Sequence, residues 1–439
     1  MELIEQIQNA GILGAGGAGF PTHVKVNCKG KAEYVLANGA ECEPLLRVDQ
    51  QVMQFHAEEV LRGIRAVKSY TGASRAVICL KKHYHEAVKA LKKAIGDEKD
   101  VELHLLDSYY PAGDEQQIVY EVTGRVVPTG GLPLDVGAVV CNVSTLMNIA
   151  AALDGKKVTE KYVTVGGAVK TPVTLKVPIG ISCKALLEAA GGVTEPCRYL
   201  LGGPCMGKVI EDPDTPVTKT TGGLLALPLD HPLWAKKTED LELRLIQSVC
   251  CQCSMCTQMC PRNALGLNVQ PHKAMRSIAN GLDLLGDANG IFSCCNCGLC
   301  TYYACNFGLK PSNVMTKLKA SIAANGVRAR KEVFSEPDGG LENKRVPVSR
   351  LIARLGISQY DVAAPMQEKA LTADSVRILL RMGVGAPSVP TVKVGDKVRK
   401  NALIADIAEK KLGVKMHASI SGTVTAVTGD YIEIRRNAE

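Results

Sequence analysis

The sequence predicts a multidomain α/β protein. Three observations favour this fold class: strand and helix signals alternate over residues 33–153, ten of the seventeen cysteines fall between Cys250 and Cys305, and the pattern becomes all-β from about residue 374. Alternating strands and helices indicate a mostly parallel sheet covered by helices, and clustered cysteines indicate metal ligation. We therefore expect an α/β domain, a small β module, a helical cysteine-rich segment and a C-terminal β domain.

The composition is typical of a folded, soluble, cytoplasmic protein. Hydrophobic residues make up 46% and charged residues 22% of the 439 residues, and no apolar run approaches the ~18 residues that cross a bilayer. The amino terminus, MELIEQIQNAG, lacks the basic region of a secretory signal. The net charge of +8 is spread along the chain without a Lys/Arg block, so we do not expect nucleic acid as a partner. We also expect no integral membrane segment.

The first domain, residues 1–158, is expected to be Rossmann-like. Short apolar runs predict parallel strands, and helical periodicity follows each of them. The strands are expected at 34–39, 76–82, 101–107 and 137–143, and the helices at 52–72, 85–96, 114–124 and 144–155. Ser144 is the expected N-cap of the last helix.

Residues 159–240 are expected to form a β-grasp module. The runs 162–169 and 173–180 predict a strand hairpin, 182–192 predicts a capped helix, and 198–210 predicts a returning strand. Two strands, a helix and a further strand are the order of a small β-grasp fold.

The remaining chain divides into three parts. Residues 241–320 carry the cysteine clusters, and residues 321–372 predict a charged helical linker with a turn at 336–340. Residues 373–439 contain short strands separated by glycine turns, which predict a small β-sandwich.

The first cysteine cluster has the spacing of a bacterial ferredoxin. Pro261 follows the last of four cysteines in the pattern C-x2-C-x2-C-x3-C-P, and the four are Cys250, Cys253, Cys256 and Cys260. Three thiolates two residues apart wrap around one [4Fe–4S] cluster, while the fourth reaches the neighbouring cluster. Cys251 is out of register, and we expect it to be a buried neighbour and not a ligand.

The second cluster repeats the pattern with one departure. Cys305 follows four residues after the triplet instead of three, and Asn306 replaces the usual proline; the triplet is Cys294, Cys297 and Cys300, with Cys295 out of register. By the crossing rule for two-cluster ferredoxins, one cluster takes Cys250, Cys253, Cys256 and Cys305. The other takes Cys294, Cys297, Cys300 and Cys260.

Structural zinc is the alternative occupant of these cysteines. Zinc sites also use C-x2-C pairs, but two C-x2-C-x2-C triplets, one closed by Cys-Pro, match a tetrahedral ion poorly. Eight thiolates on two clusters leave no iron open. The cysteine-rich segment is therefore expected to transfer single electrons and to carry out no bond chemistry.

The amino-terminal stretch GILGAGGAGFPTHVK contains Gly14, Gly16 and Gly19 at the spacing G-x-G-x-x-G. A dinucleotide fingerprint follows a strand and opens a helix, but this stretch follows a helical segment. Pro21 also keeps Phe20 out of the helical region. The dinucleotide interpretation is therefore disfavoured, and two remain: a mobile glycine loop, or a loop that cups a flavin.

Three other turns favour the flavin interpretation. Each combines a strand end with polar residues, where ligands bind in open α/β sheets, or with a helix N-terminus that suits phosphate. They are NGAECEP with Asn38, Glu41 and Glu43, YYPAGDEQQ with Tyr110, Gly113, Asp114 and Glu115, and CNVSTL with Asn142 and Thr145. Each alone is typical of an ordinary cap or turn, but in a parallel sheet such turns share one edge.

These segments resemble a known family. GAGGAGFPTHVK, NGAECEP, YPAGDEQ and CNVSTL together resemble the FMN- and NADH-binding subunit of respiratory complex I and its RnfC-type relatives. The resemblance covers most of the chain: a Rossmann-like FMN domain, an SLBB β-grasp module, a helical two-cluster ferredoxin segment and a β barrel-sandwich hybrid. The barrel-sandwich is N-terminal in RnfC-type proteins; its C-terminal place resembles the PduS-type cobalamin reductases of propanediol-utilising microcompartments.

The resemblance implies roles for individual residues. Gly14, Gly16, Gly17 and Lys25 would line FMN, and Phe20 would stack on the nicotinamide or adenine. Asn38 and Glu41 would contact flavin or ribose, and Glu43 matches an acidic position near the nicotinamide nucleotide. Tyr110, Gly113, Asp114 and Glu115 would close the pocket, and Asn142 and Thr145 would hold the phosphate. Ala40 and Cys141 depart from the complex I pattern, which has an acid and an asparagine there.

The resemblance also implies the function. NADH would deliver two electrons to FMN, and two [4Fe–4S] clusters would carry them singly to a corrinoid, so no protein acid or base is needed as a catalytic residue. A corrinoid adenosyltransferase and microcompartment shell proteins are the implied partners, in the cytoplasm and a microcompartment lumen. An RnfC-like input subunit between NADH and ferredoxin, and a non-enzymatic iron–sulfur scaffold, are the alternatives; the sequence does not decide between monomer and oligomer.

Overall fold

The computed structural model describes residues 2–238, 240–281, 288–332 and 336–437. The first domain begins with two short helices and continues as alternating strands and helices. Its elements are α1 (Leu3–Ala10), α2 (Thr22–Val26), β1 (Tyr34–Asn38), α3 (Val48–Phe55), α4 (Ala57–Thr71), β2 (Arg75–Lys81), α5 (His85–Ile95), β3 (Glu102–Leu106), β4 (Tyr109–Tyr110), α6 (Glu115–Thr123), β5 (Ala138–Asn142) and α7 (Val143–Leu153).

The predicted parallel sheet is confirmed. Its strand order is β3-β2-β1-β5, and β1 pairs in parallel with both β2 and β5. Asn38 at the end of β1 is level with Cys79 and with Asn142. The carboxyl ends of the strands therefore meet at one edge, where the predicted site residues follow them.

Two local predictions in this domain are wrong. The helix expected over 52–72 is divided at His56, whose backbone is not helical (φ −123°, ψ 35°); its imidazole Nε2 lies 2.9 Å from the hydroxyl of Tyr162 in the next module. The N-cap of α7 is Asn142 and not Ser144, because the Asn142 side chain accepts the Ser144 N–H at 2.9 Å. Tertiary contacts, which helical periodicity does not encode, decide the first case.

The second module has the β-grasp order that the sequence predicts. Its elements are β6 (Glu160–Gly167), β7 (Val173–Pro178), α8 (Cys183–Ala189), β8 (Cys197–Leu201), β9 (Lys208–Ile210) and β10 (Gly223–Pro228). The run 198–210, expected as one strand, is a hairpin of β8 and β9. Sequence analysis missed β10, which lies between β6 and β8 and is parallel to β6.

The cysteine-rich segment is helical, and the linker after it pairs with strands of the first two domains. From residue 233 to residue 367 the elements are α9 (Leu233–Lys237), α10 (Leu243–Val249), α11 (Met255–Gln258), α12 (Pro261–Ala264), α13 (Pro271–Ala279), α14 (Ala288–Phe292), α15 (Pro311–Ala324), β11 (Val346–Pro347), α16 (Val348–Leu355) and β12 (Met366–Gln367). Within the segment expected as a helical linker, β11 pairs with β4 and β12 pairs with β7. The linker thus connects the first domain to the β-grasp module.

The C-terminal domain consists of two small antiparallel sheets. One has the order β13-β19-β18-β15 and the other β14-β16-β17. The strands are β13 (Ser375–Leu379), β14 (Val389–Pro390), β15 (Lys397–Val398), β16 (Leu403–Asp406), β17 (Met416–His417), β18 (Gly422–Val427) and β19 (Tyr431–Arg435). Two facing sheets of short strands confirm the predicted β-sandwich.

One hydrophobic core runs through three of these units. It joins residues of the first domain such as Ile64, of the β-grasp module such as Val163, and of the C-terminal domain such as Ile432. A continuous core favours a fixed arrangement of the three. Among the described residues, no helix combines the length and the apolar character needed to cross a membrane.

Candidate flavin and iron–sulfur sites

The glycine loop is closed at its base by the backbone. The Gly14 N–H donates to the Phe20 carbonyl at 2.9 Å, and Leu13 forms an isolated antiparallel bridge with Pro21. The helix α2 begins only after Pro21. It therefore does not start at the third glycine, as a dinucleotide fingerprint would require.

The loop lies against the N-terminus of α7. The Ala15 N–H donates to the Thr145 hydroxyl at 2.9 Å, and a Cβ added to Gly16 would lie 3.3 Å from the Asn142 side chain. Gly17 is exposed with a left-handed φ of +100° and nothing near its missing Cβ. The loop therefore presents bare backbone at the sheet edge, which a planar cofactor can approach closely.

Lys25 and Asn38 connect the other predicted turns. The Lys25 ammonium donates to Glu115 Oε2 and to the Val140 carbonyl, both at 2.9 Å. The Asn38 side chain donates to the Gly113 carbonyl at 2.9 Å. The structure thus brings all four predicted segments together at one edge of the sheet.

Asp49 and Lys161 were missed by sequence analysis. The buried Asp49 carboxylate accepts from Asn142 Nδ2 at 2.7 Å and from the Ser144 hydroxyl at 3.2 Å, and burial raises its pKa. Lys161 donates to the Ala15 carbonyl at 3.3 Å, and burial lowers its pKa to about 8 although Asp49 opposes this. Neither residue belongs to a motif, because α3 and β6 bring them in from outside the four turns.

Glu41 is a titratable group at the same edge. Burial, followed by the negative charges of Asp49 and Glu43, raises the pKa of Glu41 to about 8, and Lys81 opposes this shift. The folded protein therefore holds a proton on Glu41 that the unfolded chain releases near pH 4.5. Because the folded state binds more protons between these pH values, this group makes stability fall as the pH rises from about 4.5 to about 8.

Replacing Glu41 by glutamine should remove this pH dependence. We expect E41Q and the wild type to be equally stable near pH 4.5 and E41Q to be more stable at pH 8 by a few kcal/mol, because each pKa unit corresponds to about 1.4 kcal/mol. Denaturant unfolding of the flavin-free protein at both pH values measures the difference. If E41Q and the wild type differ in free energy of unfolding by the same amount at both pH values, the protonation assigned to Glu41 is wrong.

Three of the predicted pocket residues face the β-grasp module and the cysteine-rich segment instead of open space. Glu43 accepts from the N–H groups of Cys205 (2.9 Å) and Met206 (3.0 Å) in the β8–β9 loop. The buried Tyr110 hydroxyl donates to the Cys297 carbonyl at 2.6 Å and lies 3.2 Å from Glu43 Oε1. These residues join the sheet edge of the first domain to the second cysteine loop.

Asp114 is the third of these residues. Its carboxylate forms a two-point ion pair with Arg262, with both N–O distances at 2.7 Å and side-chain exposures of only 9% and 10%. Gln117, one turn further along α6, donates to the Pro261 carbonyl at 3.0 Å. Arg262 directly follows the Cys-Pro of the first motif, so this pair holds the cysteine-rich segment on the first domain.

The ligand sets of the crossing rule stay a prediction, and the charge neighbours of the cysteines are consistent with them. Burial and the negative charges of Cys305, Cys250 and Cys253 raise the pKa of Cys256 to about 12. Burial, Cys294, Cys260 and Cys256 raise the pKa of Cys300. Cys260 thus lies with the second triplet and Cys305 with the first, and the two sets are adjacent at Cys256 and Cys300.

The two cysteine loops have matching backbone conformations. Gln252 and Asn296 are left-handed with φ of 57° and 56°, and Ser254 and Gly298 are left-handed with φ of 60° and 75°. These are equivalent positions of the two triplets. Left-handed residues at these places wind each loop around one centre, as three thiolates on one cubane require.

The extra residue before Cys305 is taken up by a π-helical turn. Cys300–Ala304 is π-helical, and the Cys305 N–H donates to the Cys300 carbonyl at 3.1 Å. One π turn spans one residue more than an α turn. The spacing of four residues therefore still returns Cys305 to the side of the first set, beside Cys256.

One cysteine prediction is wrong. Cys251, expected to be buried, is exposed, while Cys295 is partly buried. All seventeen cysteines are free thiols.

The residues at the sheet edge fit a flavin. Gly16, Gly17 and Ala18 are exposed in the loop, and the Lys25 side chain is 29% exposed. The exposed loop backbone leaves space for the flavin, and the part-exposed Lys25 ammonium supplies a positive charge beside it.

Four family models match the chain in succession. The Nuo51 FMN-binding domain matches residues 7–151, the SLBB domain 162–209, the 4Fe-4S dicluster domain 249–310 and the RnfC barrel sandwich hybrid domain 362–438. These matches confirm the FMN-binding domain and the two-cluster segment that the resemblance implies. Fold and sites together define a flavo-iron–sulfur oxidoreductase.

Individual relatives specify the family. Cobalamin reductase PduS of Salmonella typhimurium is 40% identical over 443 residues, which cover 99% of this chain and 96% of the relative. Cobalamin reductase PduS of Citrobacter freundii is 40% identical over 98% of this chain and 96% of its own. A component of the Na(+)-translocating ferredoxin:NAD(+) oxidoreductase complex of Acetobacterium woodii is 37% identical over 60% of this chain and 59% of its own. The chain belongs to the family of PduS-type cobalamin reductases.

Proposed function

We propose that this protein uses NADH to reduce a corrinoid, taking cob(III)alamin to cob(II)alamin and then toward cob(I)alamin. One observation carries the electron-transfer part of the proposal. The Tyr110 hydroxyl, at the sheet edge of the first domain, donates to the Cys297 carbonyl at 2.6 Å. This bond joins the domain proposed to bind the flavin to a loop proposed to bind one cluster. The identity of the acceptor is supported by the full-length similarity to cobalamin reductases.

The residues of the chain hold and separate these redox groups. FMN, when bound, takes two electrons from NADH and releases them singly, and [4Fe–4S] clusters carry single electrons. Lys25 and the α7 N-terminus supply positive charge for the flavin phosphate. Thr145 accepts a hydrogen bond from the Ala15 N–H, so we assign it the positioning of the glycine loop; its hydroxyl proton can still be donated to a phosphate.

The contacts order the two cysteine sets. The hydrogen bonds described above from the first domain end on the Cys297 loop and on the Pro261–Arg262 turn, which belong to the set of Cys260, Cys294, Cys297 and Cys300. The other set includes the exposed Cys253, and exposed Met255 and Phe307 flank its ligands. We assign entry of electrons to the first set and delivery to the acceptor to the second.

A corrinoid adenosyltransferase would use the reduced corrinoid, and a B12-dependent dehydratase would depend on the product. The family relation supports a place in a bacterial microcompartment, where shell proteins would be neighbours.

A visible spectrum and two acceptors test the function. Anaerobically reconstituted protein should show flavin bands near ~450 nm over broad iron–sulfur absorbance, and NADH should bleach both. Cobalamin should then reoxidise the protein at a catalytically useful rate. If NADH leaves the flavin bands unchanged, the enzyme proposal fails, and an iron–sulfur scaffold remains.

Exchange of electrons between NADH and ferredoxin is the second candidate. It is supported by the RnfC barrel sandwich hybrid match and by the 37% identity to the component of the Acetobacterium woodii complex. Reoxidation by ferredoxin but not by cobalamin would favour it over the corrinoid.

A further inference from the structure

The C-terminal β domain touches the glycine loop directly. The Val384 N–H donates to the Gly19 carbonyl at 2.9 Å. A Cβ added to Gly19 would lie 2.8 Å from Gly383 Cα, and a Cβ added to Gly383 would lie 2.2 Å from the Gly19 carbonyl oxygen. The two backbones therefore approach so closely that only glycine fits at both positions.

A second contact holds the other end of the loop. The buried Lys219 ammonium, from the β-grasp module, donates to the Gly11 carbonyl at 2.6 Å and to the Lys415 carbonyl at 2.9 Å. A Cβ added to Gly11 would lie 2.3 Å from the Lys415 carbonyl oxygen. Lys415 belongs to the C-terminal domain, so one lysine side chain joins three parts of the chain just before the loop.

We propose that the C-terminal domain positions the flavin site. The positioning residues are Gly383 of that domain and Lys219 of the β-grasp module. This inference rests on the proposed flavin chemistry but assigns a role to a domain that holds none of the predicted flavin or cluster residues. Gly17, in the exposed middle of the loop, has open space around the position of a Cβ. The loop is therefore held at Ala15 by Thr145 and Lys161 and at its two ends by the contacts with the C-terminal domain.

Anchoring the ends has a clear energetic consequence. Each backbone residue that must be ordered on binding weakens affinity, and a loop held in its bound conformation avoids that cost. A glycine-rich loop has the most conformational freedom to lose. Loss of either anchor should therefore weaken FMN binding.

Gly383→Ala with Gly422→Ala as a matched control tests the proposal. A Cβ on Gly422 would lie 2.1 Å from the Arg435 carbonyl oxygen, so G422A strains the same domain away from the loop. We expect G383A to weaken FMN binding about tenfold or more, by fluorescence titration, and G422A to leave it within about twofold, with the same iron content in both. Equal losses in the two variants would overturn the proposal, because general destabilisation would then explain them.

Amide hydrogen exchange gives a readout that does not need the flavin. Residues 14–19 should exchange faster in G383A and in Lys219→Met than in G422A, because an anchor of the loop is lost. If the wild type binds no FMN but G383A still releases the loop, the proposed function fails while the anchoring stands. If exchange of the loop is unchanged in both anchor variants, the inference is wrong.

Discussion

Replacing Cys297 by serine should stop electrons from NADH before they reach the cluster that we assign to Cys250, Cys253, Cys256 and Cys305. We expect NADH to bleach the flavin of C297S as in the wild type, while no signal of that cluster develops in the electron paramagnetic resonance spectrum. Dithionite, which reduces clusters directly, should still produce the signal. Cobalamin reduction by NADH should be lost, because the electrons have no other assigned route to the acceptor.

The expectation follows from where the first domain contacts the cysteine-rich segment. Tyr110 donates to the Cys297 carbonyl at 2.6 Å, and Gln117 donates to the Pro261 carbonyl at 3.0 Å. Both acceptors adjoin the set of Cys260, Cys294, Cys297 and Cys300. The described hydrogen bonds from the first domain do not reach the other set, and that set contains the exposed Cys253.

Cys253→Ser is the matched control. It removes one thiolate from the outer set, so NADH should still reduce the inner cluster while delivery to cobalamin is lost. If NADH reduces the outer cluster of C297S at the wild-type rate, electrons enter through the outer set and the assigned order is wrong.

Much of this arrangement could be predicted from the sequence because it depends on local patterns. The cysteine spacing predicted the two-cluster segment that the family match confirms, and the π turn at Cys300–Ala304 accommodates the extra residue before Cys305. Strand and helix alternation predicted the parallel sheet. Since parallel strands end at one edge, it also predicted that the four flavin-site turns converge.

The residues that join the domains could not be predicted in this way. Asp49, Lys161, Lys219 and Arg262 act through partners more than ninety positions away in the chain. No periodicity or spacing marks such pairs. For the same reason, the polar residues of the YYPAGDEQQ turn were all expected at the flavin, whereas Tyr110 and Asp114 face the cysteine-rich segment.

Breaking the buried pair of Asp114 and Arg262 should detach that segment from the first domain. R262M leaves a carboxylate buried without a partner, which costs about 3–5 kcal/mol. We expect the urea concentration at which iron–sulfur absorbance is lost to fall markedly, and electron transfer from reduced flavin to the clusters to slow, while bleaching of the flavin by NADH is kept.

A double-mutant cycle separates the pair from general damage. Asp114→Leu combined with R262M removes both charges, and it should recover much of the stability that either single variant loses, because an apolar pair replaces a buried ion pair at little cost. The exposed pair of Arg125 and Glu33, with an N–O distance of 2.6 Å and side-chain exposures of 42% and 44%, is the control. Arg125→Met should cost at most about 1 kcal/mol. If R262M costs no more than Arg125→Met, the buried pair does not hold the segment, and Tyr110, Gln117 and the linker strand β11 must hold it.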